Sequence, residues 1–183
     1  MDRVRRVVTG TVAGRSAVVA DEALEAFAPA LLPGMGFVHL WGADQTVTLP
    51  SDGSEPPIAA YFPQTTGFRV ALVTIPPERG VDGATLDGAA LSAAAAEVEN
   101  RLPGLLAHME PDAPGMHTSD TVDIDIVLSG EIVLELDDGA EVALRAGDCV
   151  VQNGTRHAWH NRTSQPCTLS VTLVGAGRAR QDV

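Results

Sequence analysis

Apolar and polar residues alternate with a period of two along most of this chain, and one stretch breaks the rhythm. MDRVRRVVTGTVAGRSAVVA, at 1–20, sets arginine and threonine against valine and predicts one or two strands turning at Gly14. The next segment, 20–34, fits either a short helical turn ending before Pro33 or an irregular cover. FVHLWGAD at 37–44 and FRVALVTI at 68–75 predict strands, the second stopped by Pro76 and Pro77. Residues 50–67, rich in proline, glycine and serine, predict a long loop. The departure is DGAALSAAAAEVENRL at 87–102, a run of helix formers with Asp87 placed to cap it and Pro103 to end it. PGLLAHME then continues as a second turn.

The stretch from His117 to Asn161 carries the candidate chemistry. It holds three of the five histidines and a cluster of aspartates. Three β signals follow one another inside it: IDIVLSG, then EIVLEL, then DDGAEVALRAGDCVV turning at Asp138-Gly139. Strands this short, joined by such tight turns, are expected to be antiparallel neighbours. That would fold His117 and Asp123 at one end toward His157 and His160 at the other. CTLSVTLVGA at 167–176 predicts a final strand, and GRARQDV a frayed tail.

These residues resemble the cupins, small antiparallel jelly-roll barrels. The first cupin motif usually reads G-x5-HxH-x3,4-E-x6-G. Here His117 falls at the first histidine, Ser119 at the second, Asp123 at the glutamate and Gly130 at the last glycine. The second motif begins at Gly147, has Gln152 where proline is usual, and continues with Gly154, His157 and Asn161. A spacer of sixteen residues, 131–146, resembles the compact single-barrel members found beside biosynthetic and degradative enzymes. The resemblance implies an all-β, antiparallel jelly-roll barrel with a short helical insertion. As one domain, 1–80 would supply N-terminal strands and loop, 81–115 the insertion, 116–175 the core motifs and 176–183 the tail. The insertion would either lie over the barrel mouth, bringing His108, Met109 and Glu110 to a ligand, or pack outside.

The resemblance also implies a divalent metal ion, iron, zinc, manganese or nickel, held by His117, Asp123 and His157. Two imidazoles and a carboxylate with open positions match a facial metal site, with Ser119 placing a hydroxyl or a water where an imidazole usually sits. Strand alternation puts Asp123 and Asp125 on one face, and Val122, Ile124, Ile126 and Leu128 on the other. Either the acids meet solvent and the aliphatics fill the barrel, or the acids point inward toward a cation; the resemblance favours the second. Asp125 and Asp123 are then the candidate proton carriers, with Ser119, Trp159, Gln152 and Met116 as candidate pocket residues. His160 is expected outside, Asp120 in a solvated loop, His39 in the core, and Tyr61 in a loop without a role. Cys149 reads as a small core residue.

Charge narrows the partners. A formal net charge of −12 argues against nucleic acid and anionic membrane. All twelve basic residues are arginine, so Schiff-base chemistry and a lysine base are excluded. Two cysteines make no disulfide framework, and no signal peptide or transmembrane run appears, so a cytoplasmic protein is expected. Neither a nucleophile elbow nor a phosphate-binding glycine loop is present. The resulting expectation is a metal-dependent enzyme acting on a small organic acid, enol or ring ketone, of lyase or isomerase type. The alternatives are a non-catalytic small-molecule-binding or accessory barrel and a non-haem iron dioxygenase. The apolar outer face of 122–128 predicts a homodimer.

Overall fold

The computed structural model describes residues 3–78 and 86–179. Strands β1 (Arg3–Val12) and β2 (Arg15–Glu25) form a hairpin of their own. Its turn is Ala13-Gly14, both at positive φ, the backbone twist that a two-residue hairpin needs. Arg5 pairs with Asp21 on the solvated face of β1, whereas Arg6, on the other face, pairs with Glu22 and Glu55 and donates to the Leu40 carbonyl. β2 runs to Glu25, and the following segment to Gly34 is irregular rather than helical.

The rest is two antiparallel sheets. β3 (Gly36–Ala43), β4 (Phe68–Ile75), β10 (Cys167–Gly175), β5 (Thr121–Ser129) and β8 (Cys149–Asn153) form one, in the order β3-β4-β10-β5-β8. β6 (Glu131–Glu135), β7 (Glu141–Arg145) and β9 (Ala158–His160) form the other, in the order β7-β6-β9. Their inward side chains share one core: Val127 and Leu169 from the larger sheet meet Ile132 from the smaller. This is an antiparallel jelly roll.

The neighbour relations differ from the simple meander expected for 124–151. β6 and β7 do pair, through a turn at Asp137–Gly139 with Asp138 at φ 57°. β5 pairs instead with β10 and β8, so the chain changes sheets at Gly130. Gly130 sits at φ 80°, and a Cβ there would lie 2.7 Å from the Pro166 carbonyl oxygen and 2.9 Å from the Cys167 Cα. Only glycine fits that crossing.

Helix α1 (Gly88–Arg101) starts where Asp87 accepts a hydrogen bond from the Ala90 amide at 2.9 Å. It buries Ala94 and Val98, and Leu102 and Leu105 carry the same apolar surface into the core. Within the 81–115 insertion, α1 therefore packs against the interior through one face. Two side expectations fail. Cys149 is exposed, because β8 is the edge strand and its odd positions face out, whereas Cys167 is buried. The tail is partly docked: Ala176 bonds the Asp120 carbonyl, and Arg178 pairs with the Asp120 side chain.

Candidate functional site

β5 decides which groups face inward. Thr121, Asp123, Asp125 and Val127 are buried, while Ile124, Ile126 and Leu128 on the other face are about two-fifths exposed. The aspartates therefore point into the barrel. Their cross-strand neighbours are mostly aliphatic: Asp123 lies opposite Leu173 and Gln152, and Asp125 opposite Val171 and Val150. Water is withheld from both carboxyls, which disfavours the charged form. Burial lifts Asp123 to about 6, against a hydrogen bond from Thr121. Burial, and then the charge of Asp123, lifts Asp125 to about 8. One oxygen of each, Oδ1, is buried with no protein partner.

The two ends of the 117–161 stretch do meet. His117 and His157 exchange backbone hydrogen bonds of 2.9 and 3.0 Å, and their rings lie 4.2 Å apart. His117 Nδ1 is 3.0 Å from the Gly115 carbonyl oxygen, and His157 Nδ1 is 2.9 Å from that of Thr155. A carbonyl oxygen only accepts, so each Nδ1 carries the proton. Burial, and for His157 the neighbouring His117, hold both rings below the usual histidine range, His157 at about 4. Both imidazoles are thus neutral at pH 7, with an Nε2 lone pair to offer.

Imidazoles and carboxyls line one cavity of about 240 Å³. The remaining wall is aliphatic, from residues such as Met35, Ile75, Leu105 and Leu173, or aromatic, from Phe37, Tyr61, Phe62 and Trp159. Met109, within the 81–115 insertion, also lines it and bridges to His117.

The other expected pocket residues have different places. Trp159 does line the cavity, its ring 5.9 Å from that of His157. Ser119 is buried with its hydroxyl 2.6 Å from that of Thr121, and lies outside the lining. Met116 is buried, also outside the lining. Gln152 is buried beside Asp123; its Oε1 accepts from the Thr155 hydroxyl at 3.0 Å and its Nε2 has no partner. Asn161 is structural, its amide donating to the carbonyls of Ile75 and Gln165. His160 faces away, held between Glu78 and Glu135 at 2.6 Å each. Glu110 is bonded to Arg156, and His108 donates to the Gly104 carbonyl. His39 meets Glu55 and Trp41 meets Arg6, both away from the cavity. Tyr61 and Phe62 came from a stretch with no periodicity, and nothing in its spacing pointed to them.

Cupin domains commonly bind a metal, and the donors here answer for one only in part. The imidazole pair offers two Nε2 lone pairs, each oriented by a carbonyl on the opposite ring nitrogen, as metal-binding histidines usually are. Asp123 does not join them: among the described residues no group of three or more His, Cys, Asp or Glu side chains is placed to hold an ion. The His117, Asp123 and His157 set is held as a pair of rings and a separate pair of acids. A divalent iron, zinc, manganese or nickel ion there would find two imidazoles in place and, among the described residues, no third His, Cys, Asp or Glu side chain beside them.

A cupin domain model matches residues 105–174. Phomopsin biosynthesis cluster protein C' of Diaporthe leptostromiformis is 48% identical over 48 residues, covering 26% of this chain and 25% of its own length. The cupin-domain-containing oxidoreductase virC of Hypocrea virens is 44% identical over 48 residues, with the same shares. The chain thus spans about a quarter of the length of the curated relatives it matches. A cupin 2 conserved barrel domain protein from Salinispora arenicola overlays 78% of this chain and 76% of its own, at TM-score 0.39 and 17% identity. Among the described residues no helix is long and apolar enough to cross a membrane. The region that matches the cupin domain model supplies both acids and both imidazoles of the cavity.

Proposed function

We propose that the cavity moves a proton on a small, partly apolar carbonyl compound, in an isomerase or lyase reaction. The observation that carries this is the inward pair Asp123 and Asp125, two carboxyls in one apolar-walled cavity with different proton affinities. Environments that separate the affinities of two neighbouring acids suit one to act as base and the other as acid. At pH 7 Asp123 is mostly a carboxylate and Asp125 mostly a carboxylic acid.

Asp123 takes the proton from the carbon next to the ligand carbonyl, breaking that C–H bond. Its electron pair forms the new C=C bond, and the carbonyl π pair becomes an O–H bond with the proton given by Asp125. Return of the Asp123 proton to a different carbon, with Asp125 retaking the enol proton, completes an isomerisation. In an elimination the enol O–H proton returns to Asp125 as the C=O bond re-forms, the enol pair becomes the α,β double bond, and the β group leaves with its bonding electrons and takes the proton held by Asp123. The neutral imidazoles accept hydrogen bonds at Nε2 and orient the ligand.

One relative is named for a phomopsin biosynthesis cluster and another as a cupin-domain-containing oxidoreductase, which supports a place in small-molecule metabolism. Incubating the protein with cyclohexenone in heavy water, and following loss of the proton signals next to the carbonyl by NMR, tests the reading. The protein should accelerate exchange, and Asp123→Asn and Asp125→Asn should each lower the rate about a hundredfold. Exchange no faster than buffer, or equal in the variants, contradicts it. A second reading, a binding barrel without catalysis, draws on the enclosing apolar and aromatic wall; it predicts binding with no exchange.

A further inference from the structure

The chain has only seven aromatic residues of the Phe, Trp and Tyr type, and four of them line this one cavity. With the two histidines they form a continuous series of rings. Phe37 meets Tyr61 at 6.3 Å, Tyr61 meets Phe62 at 5.0 Å, and Phe62 meets His117 at 6.2 Å. His117 meets His157 at 4.2 Å, and His157 meets Trp159 at 5.9 Å. Several contacts are edge-to-face, which fixes the rings against one another. A surface of ring edges and faces favours a flat, unsaturated guest.

Charge sets a second condition. Among the described residues none of the arginines lines the cavity, and two carboxyls do. A carboxylate or phosphate ligand would be buried beside like charge with no cation to offset it. An anionic guest is therefore disfavoured, and the aliphatic and aromatic remainder of the wall suits an uncharged one.

Tyr61 supplies the third. Its ring is clamped edge-on between Phe37 and Phe62, and its amide donates to the Pro103 carbonyl at 2.8 Å, anchoring it to the chain that follows α1. The side chain lines the same cavity as both acids. Burial, then the charges of Asp125 and Asp123, push its phenol far above the usual tyrosine range, so the hydroxyl stands in their field and remains a hydrogen-bond donor.

We propose that the cavity takes a flat, uncharged ring bearing one hydroxyl or keto oxygen, and that the Tyr61 hydroxyl binds that oxygen beside Asp125. This rests on the cavity being the working site, and it assigns Tyr61 a ligand contact that its place in an aperiodic loop gave no hint of.

The test uses three probes of similar size: phenol, toluene and benzoate, titrated into the full chain at neutral pH and followed by NMR shifts. Phenol should bind about fivefold or more tighter than toluene, and benzoate at least tenfold weaker than phenol. In Tyr61→Phe, toluene should bind within twofold of wild type while the preference for phenol over toluene falls below twofold. The Phe variant keeps the ring and its clamp, and an unchanged melting temperature verifies its fold. Benzoate binding as well as phenol, no binding of phenol or toluene, or a preference unchanged in Tyr61→Phe overturns the proposal. Binding in the expected order without cyclohexenone exchange would instead remove the catalytic reading and leave this one standing.

Discussion

Asp125 costs stability in the unliganded protein, because its buried Oδ1 has no protein partner and its cavity is apolar. The sign of its pH dependence follows. An unfolded aspartate titrates near 4, roughly, and Asp125 titrates at about 8 in the fold. The folded state holds the proton more tightly, so this contribution is full below the unfolded value and is lost as pH rises through the folded one. Asp123 acts likewise up to about 6. His157, depressed to about 4, works the other way and withdraws stability as pH falls from the usual histidine range toward that value. Between pH 6 and 8 Asp125 dominates. Thermal melts should show Asp125→Asn losing less stability than wild type across that window, by up to about 1.4 kcal/mol per pH unit, and surpassing wild type above it. Parallel curves for the two proteins contradict the assignment. The same two affinities predict exchange activity highest between about 6 and about 8, falling on either side.

Strands and the helix were largely legible from the sequence because alternation, proline and the Asp87 cap act locally. That Asp123 and Asp125 share one face of β5 was legible from parity, whereas their inward turn followed only from the cupin resemblance. The pairing of β5 was not. Tight spacing suggested a meander, but the strands are divided between two sheets, a choice made by distant partners in β10 and β9. Tyr61, Phe62 and Phe37 were equally hidden, because ring contacts made across loops leave no period. Gly130 gives this scale its prediction. Replacing it with alanine should cost at least about 2 kcal/mol, since φ 80° and a backbone clash coincide. Chemical denaturation measures it, and a change under about 0.5 kcal/mol would show that the crossing between sheets tolerates a Cβ.

At the scale of the molecule, the cavity and the outer surface divide the labour of β5. Inside, two acids and two neutral imidazoles face one volume; outside, Ile124, Ile126 and Leu128 are exposed, next to an exposed Val151 on β8. We propose that this apolar patch, on a chain of net charge −12, seats a second copy. Sedimentation at micromolar concentration should give a dimer that Ile126→Glu converts to monomer; a wild-type monomer contradicts this. Inside the cavity the two carboxyls bind protons with unequal strength, both more tightly than exposed aspartates. Carbon-13 NMR of the aspartate carboxyls, assigned with Asp123→Asn and Asp125→Asn, measures this directly. The account predicts two resonances with midpoints displaced to about 6 and about 8. Both titrating near 4, the range of exposed aspartates, roughly, would contradict it.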